Sequence, residues 1–270
     1  MKKVSLTLLV SGTLSIATAD ILGLSAGAGY WQENISGYVK KENVINYFQN
    51  KQAESDGNNN TGNFGLKDEK NPYVWLKFIH PIPLIPNIKL QYTKYDSTGY
   101  SNHISGGEIK FFENINIPVS LTNAKTTQAI NSYDLTLFYE FNPVIVDIEI
   151  GLGVDLWQGK TKIYGKDVIG GEEKTWVDED WIVPLPYLYG SIETMKFFGF
   201  SFDANVKYLK ISNVNHYDYQ GSLKYTIDIL GPVNPFLKIG YRYKELSGKD
   251  KNDKIVLKYE GAFLEIGGEF

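Results

Sequence analysis

The residues best equipped for chemistry in this chain are carboxylates, lysines and one arginine set an even number of positions apart in strand-like segments. They are Asp134 and Glu140; Asp147, Glu149 and Asp155; Asp203 and Lys207; Asp218, Lys224 and Asp228; and Lys238, Arg242 and Lys244. Even spacing along a β-strand puts side chains on one face. The opposite face of the same segments is apolar, as in Tyr133, Leu135, Leu137, Tyr139 and Phe141. Both signs of charge sharing one face predict an interior network of paired charges, because an unpaired buried charge is costly. The other use of such a face is a narrow path for an ion or small solute.

Other reactive groups are sparse. The chain has no Cys, which excludes a thiol nucleophile, a thiolate metal site and a disulfide framework. Three histidines, His80, His103 and His216, are the available imidazole bases. His216 and Ser222 share a strand face, but six residues along a strand separate them by about 20 Å, beyond any nucleophile–base hydrogen bond. His103 and His216 could meet across an outer rim, which would suit a membrane hydrolase; solvated loop histidines are the preferred reading. Glu172, Glu173, Asp178, Glu179 and Asp180 are hard oxygen donors of the kind Ca²⁺ takes, yet they lack the spacing and turn glycine of a calcium loop. No catalytic, cofactor or metal site is predicted.

The elements that must position these residues read as strands joined in hairpins. The segments lie near 21–31, 72–80, 87–96, 130–141, 144–157, 181–194, 198–211, 217–230, 236–246 and 254–270. Short links lie near 81–86, 142–143, 195–197 and 231–235, and all but 195–197 carry Pro, Asn or Gly, as turns favour. Long polar links near 32–71, 97–129, 158–180 and 247–254, with a smaller one at 212–216, read as loops; within 97–129 a short hairpin is expected over Ile104–Leu121. Short and long links in alternation, with apolar faces five to seven positions long, are the pattern of a membrane barrel. Tyr30, Trp31, Tyr73, Trp75, Tyr95, Trp157, Trp181, Tyr208 and Tyr243 fall near strand ends, where interfacial girdles would place them.

Both ends of the chain agree with export to a membrane. Lys2 and Lys3, an apolar run from Val4 to Ile16, and Ala17-Thr18-Ala19 read as a secretory signal peptide over residues 1–19, cut between Ala19 and Asp20. Residues 20–270 would then form one domain. At the other end, Ala262, Leu264, Ile266, Gly268 and Phe270 alternate with Gly261, Phe263, Glu265, Gly267 and Glu269. A phase change near Glu260-Gly261 predicts a Gly-assisted bulge. Phe270 is expected to close the ring and to serve as the signal read by the barrel-assembly machinery. The net charge of −4 argues against a nucleic-acid partner. A mean hydropathy of −0.24 is compatible with a barrel, in which only alternate residues meet lipid.

The segments Asp134-Leu135-Thr136-Leu137-Phe138-Tyr139-Glu140, Asp147-Ile148-Glu149-Ile150-Gly151-Leu152, Pro184-Leu185-Pro186, Gly240-Tyr241-Arg242 and Gly267-Gly268-Glu269-Phe270 resemble a proteobacterial family of outer-membrane β-barrel proteins. The resemblance covers most of the mature chain. It implies an exported single-domain barrel and supplies no catalytic residues. The sequence therefore predicts an all-β, up-and-down antiparallel transmembrane barrel of about ten strands, with eight or twelve as alternatives. It is expected to be a monomer in the bacterial outer membrane, with lipid as its partner, no cofactor, a structural or surface role, long outer loops and a side-chain-filled interior. A narrow pore is the first alternative and a loop-sited membrane enzyme the second.

Overall fold

A computed structural model describes residues 22–49, 60–111, 113–117, 120–228 and 232–270; the proposed signal peptide over 1–19, with its Ala19–Asp20 cleavage point, lies outside them. Every described regular element is a strand. They are β1 (Gly23–Lys41), β2 (Val44–Tyr47), β3 (Thr61–Asn63), β4 (Glu69–Ile79), β5 (Asn87–Ile104), β6 (Gly107–Phe111), β7 (Glu113–Ile117), β8 (Leu121–Phe141), β9 (Val146–Asp167), β10 (Glu173–Thr194), β11 (Phe200–Ile211), β12 (Val214–Thr226), β13 (Asn234–Asp250) and β14 (Asp253–Glu269).

Ten strands close a ring in the order β1-β4-β5-β8-β9-β10-β11-β12-β13-β14, with every neighbour antiparallel and β14 returning to β1. The closing seam runs from Ser25 opposite Glu269 to Lys41 opposite Asp253. The Phe270 amide extends it by donating to the Leu24 carbonyl at 2.7 Å. β6 and β7 form a separate hairpin within the predicted 97–129 link.

The side chains are sorted inside out over half of the barrel's height. Near the end with short turns, Leu135, Leu152, Leu188, Phe202, Ile239, Leu264 and Ile266 are exposed on the outer wall, while Asp134, Glu149, Asp203, Lys207, Lys224 and Glu265 are buried. Towards the other end the sorting reverses. Ile35, Ile130, Ile163, Val177, Leu246, Ile255 and Leu257 are buried inside, and Lys162, Lys254, Asp178 and Asp180 lie exposed outside.

That reversal corrects two expectations. The long links are largely strand: β9 and β10 continue to a turn at 168–172, giving 22 residues each. A crossing needs roughly 9–11 residues, so each strand is about twice that length. In Lys160-Thr161-Lys162-Ile163-Tyr164 the alternation persists with its polarity exchanged, so a search for a continuous apolar face loses the strand and reports a loop.

The same exchange explains the end of the chain. β14 undergoes no phase change: its pairing with β13 is continuous from Asn234 opposite Glu269 to Asp250 opposite Asp253. Leu257, Tyr259, Gly261, Phe263 and Glu265 all face inward and are buried. The apparent break marks the height at which apolar side chains move from the outer to the inner face. Gly261 is nonetheless needed, because a Cβ there would lie 1.8 Å from the Gln32 carbonyl oxygen.

β4 is shorter than its neighbours and begins at Glu69, opposite Glu33 of β1. Beyond it, β2 pairs with Tyr38–Lys41 of β1, and β3 adds in parallel to β2. Asn46 of β2 ties this patch to the top of β5, its side chain donating to the Ser105 carbonyl and accepting from the Ser105 amide, both at 2.9 Å. Residues 44–48 and 61–66 thus patch the wall where β4 is missing.

Candidate functional site

The interior of the barrel is where the charged residues converge. Alternation on β8, β9, β11, β12 and β13 turns Asp134, Asp155, Asp203, Lys207, Asp218, Lys224, Arg242 and Lys244 inward and buries them. Glu149 is buried beside them, Glu140 and Lys238 are half-buried, and Asp147 is exposed at the start of β9. Asp228 is exposed instead, because it lies beyond Thr226, the last residue of β12, where strand parity no longer fixes a face.

At mid-height the charges form a continuous chain. Lys244 places Nζ 2.6 Å from Asp155 Oδ2 and 3.7 Å from Asp218 Oδ2. Arg242 grips Asp218 with two donors, Nε at 2.9 Å and Nη2 at 2.5 Å, a bidentate geometry that adds both strength and direction. Asp155 also accepts from Ser132 Oγ at 2.6 Å and Trp157 Nε1 at 2.7 Å. Nearer the short turns, Lys207 reaches Asp134 at 2.6 Å and Lys238 reaches Asp203 at 3.0 Å. Lys77 contacts Glu149 and lies 3.8 Å from Glu140, and Lys224 contacts both Glu193 and Glu269.

An aromatic layer is woven into this network. Trp31, Tyr95, Trp157 and Tyr259 pack with ring centroids 5.0–6.3 Å apart. Lys244 Nζ lies 4.7 Å from the Trp157 centroid, and the Arg242 guanidinium lies 4.7 Å from that of Trp31. β9 and β14 are five places apart in the ring of ten, so the Trp157–Tyr259 contact spans its full diameter. Side chains from opposite walls therefore touch across the interior. A small barrel's interior is just wide enough for this.

The girdle expectation is corrected by the same residues. Trp31, Tyr73, Tyr95, Trp157 and Trp181 are buried inside, and Trp75 is half-buried and stacked on Phe236 at 6.2 Å. Tyr30 and Tyr208 are exposed on the outer wall, and Tyr243 is half-buried. Parity held the signal: Trp157 shares a face with Asp155, and Trp31 with the small residues Gly27 and Gly29. Strand-end position alone does not choose a face.

Several hydrogen-bond partnerships of this interior escaped the sequence reading. Tyr73 donates to Glu265 Oε2 at 2.8 Å, Tyr187 to Asp134 Oδ1 at 2.6 Å and Tyr189 to Glu149 Oε2 at 2.7 Å. Lys77 and Lys89 were detectable too, since they share parity with Tyr73 and Gln91 opposite the apolar Val74, Leu76, Ile88 and Leu90.

The histidines occupy separate environments. His80 contacts the Pro86 carbonyl at 3.1 Å within a short turn. His103 Nε2 lies 3.2 Å from Ser105 Oγ, but Ser105 is only 1% exposed and closed to a substrate. His216 is sealed inside against Trp157, with ring centroids 6.5 Å apart. Of the acidic residues considered for Ca²⁺, Asp178 and Asp180 lie near β9 lysines: Lys160 reaches Asp178 at 3.0 Å and Asp180 at 3.2 Å, and Lys162 reaches Asp178 at 3.1 Å. Among the described residues no group of three or more His, Asp or Glu is arranged to hold a metal ion.

A closed, even-numbered antiparallel barrel, apolar outside and charged inside, is the architecture of bacterial outer-membrane proteins. Its sidedness places this chain in that membrane. Neither a protein-family model nor a curated protein sequence matches the chain. Solved structures similar to it include the outer membrane protease OmpT from Escherichia coli, at 8% identity and TM-score 0.42 over 93% of this chain and 96% of that one. Ail, the attachment invasion locus protein of Yersinia pestis, gives 13% identity and TM-score 0.33 over 93% and 99%. Neisserial surface protein A gives 13% identity and TM-score 0.25 over 92% and 95%. Likeness at this level assigns no activity to the present chain.

Proposed function

We propose that the protein is a sealed, non-enzymatic outer-membrane barrel whose role is structural and surface-presenting. In this reading the short turns face the periplasm, and the paired strands of β8, β9 and β10 stand outside the cell. The supporting observation is the Trp31–Tyr95–Trp157–Tyr259 layer, tied to Asp155 and Lys244, which bridges opposite walls of the ring. Open diffusion channels use more strands and leave an aqueous lumen. A non-enzymatic role is supported by the burial of Ser105, whose Oγ lies 3.2 Å from His103 Nε2, and by the separate burial of His216.

A narrow pore is the second reading, favoured by a polar chamber below the aromatic layer, lined by Lys77, Lys89, Glu149, Lys224, Lys238 and Glu269. Planar-bilayer recording separates the two. The sealed barrel is expected to show no steady single-channel conductance, and Trp157→Ala to introduce current by opening the layer. Steady conductance of the unmodified protein, altered by Asp147→Asn or Arg242→Ala, would replace the sealed reading with the pore.

A further inference from the structure

Leu84 is 88% exposed, Val144 96% and Phe198 84%. Each lies in a short turn, and the three turns, at 81–86, 142–145 and 195–199, join successive strand pairs of the ring: β4–β5, β8–β9 and β10–β11. Beside them Ile82, Ile85, Ile145, Met195 and Phe197 are exposed as well. The only charge in these turns is Lys196, and Glu269 holds it at 3.1 Å. The Met195 amide donates to the Ile145 carbonyl at 3.0 Å, so two of the turns are tied together.

One turn is strained to keep this character. Phe197 and Phe200 exchange two backbone hydrogen bonds, at 2.7 and 3.0 Å, around Phe198 and Gly199. Phe198 and Gly199 have φ of 51° and 83°. Such a hairpin turn favours Asn-Gly, and a bulky side chain at positive φ is an outlier. At the other end of the barrel the residues in that conformation are the polar Glu42, Ser212 and Lys251. Strain kept at one place points to a demand from the surroundings.

The backbone of the turns suits a medium without water, where an unpaired amide is costly. Pro81, Pro83, Pro86 and Pro143 have no amide hydrogen. The amides of His80, Ile82, Ile85 and Val146 donate within their own turns, to Asn87 Oδ1 at 3.1 Å, His80 Nδ1 at 3.2 Å, the Ile82 carbonyl at 3.3 Å and the Pro143 carbonyl at 3.0 Å. Height agrees. With a strand rise of about 3.3 Å per residue and a tilt of about 45°, the apolar face of β9 from Val146 to Leu156 covers about 23 Å, short of a hydrocarbon core of about 30 Å. Starting at Val144 brings it to about 28 Å.

We propose that these three turns are embedded in the periplasmic leaflet of the membrane, with phospholipid rather than water or a periplasmic protein covering their tips. The surface is continuous with the lipid-facing wall: Ile88, Phe141 and Phe200, the exposed residues of the adjoining strand ends, lead into it with no charge between. The inference rests on the membrane placement of the barrel and not on whether it conducts.

The chain has no Cys, so Leu84→Cys, Val144→Cys and Phe198→Cys can each carry a single bimane label. The full barrel is refolded in phosphatidylcholine vesicles with and without bromine on the acyl chains, and heat-modifiable gel migration checks that each variant is folded. Brominated lipid is expected to quench all three labels at least half as strongly as one on the outer wall at Leu152→Cys, and to leave one at the exposed Asp178→Cys unquenched. The unlabelled cysteines should react with a charged, membrane-impermeant thiol reagent several-fold more slowly than Asp178→Cys. Turn labels that stay unquenched while Leu152→Cys is quenched would overturn the proposal and give the tips to water or a partner protein. Reaction of the turn cysteines as fast as Asp178→Cys would overturn it too. An unquenched Leu152→Cys label would instead remove the membrane placement itself, and the proposal with it.

Discussion

Asp155 and Asp178 carry the same carboxyl on adjacent strands and contribute very differently. Asp155 is 0% exposed and holds Lys244, Ser132 and Trp157. Breaking a buried ion pair by removing one charge costs about 3–5 kcal/mol, so Asp155→Asn should lower the denaturant midpoint of the refolded barrel markedly. Asp178 is exposed, and hydrogen bonds from Lys160 and Lys162 hold its carboxyl below the usual carboxylate range. That support is present above the unfolded pKa, near about 3.9, and fades as pH falls through the lower folded value. Solvent screening leaves it small. Asp178→Asn should therefore leave the midpoint unchanged, and equal losses at the two sites would contradict this account of the interior. Gly261 gives a second residue-scale expectation. Because an added Cβ would meet the Gln32 carbonyl, Gly261→Ala should cost about 1–3 kcal/mol, the usual range for overpacking, read from the same unfolding curves. Sequence position pointed to Gly261, but for a different reason, since the close approach of β1 is not visible in β14 alone.

Strands were legible where one face stayed apolar. Tyr133 to Phe141 and Val144 to Leu156 declared themselves because lipid-facing side chains recur at every second position. The upper halves were missed because legibility depended on an assumed environment: Ile163 and Val177 point inward where Ile150 and Leu188 point outward. The candidate site was legible through its charges, which lie opposite those apolar faces, and illegible in its partners, which come from distant strands. Nothing in Asp155 alone names Lys244, 89 residues away. The element-scale prediction uses the outer wall. Leu152 is 59% exposed on β9 beside Leu137 and Leu188. Leu152→Arg should cost about 2–4 kcal/mol in lipid if it sits near the midplane, and Lys162→Arg, at an outward position higher on the same strand, should cost nothing measurable. The check is unfolding in vesicles, and equal effects would show that the apolar wall does not face hydrocarbon.

For the molecule as a whole, closure joins β14 to β1 through a seam that ends with the Phe270 amide on Leu24. Deleting Phe270 is expected to reduce the yield of heat-modifiable barrel in the outer membrane while leaving secreted protein unchanged; normal yield would remove any assembly role for this residue. The exchange of polarity between inner and outer faces along each long strand has a further consequence for misfolding. A one-residue slip between neighbours turns every side chain to the wrong face. In a uniformly sorted strand that error is penalised once, by one solvent. In β9 a slipped register would push Asp155 towards hydrocarbon, turn Ile163 out to water and bring Lys162 into the packed core at the same time. The two halves proofread each other, so a chain whose interior is crowded with charge can still admit a single alignment.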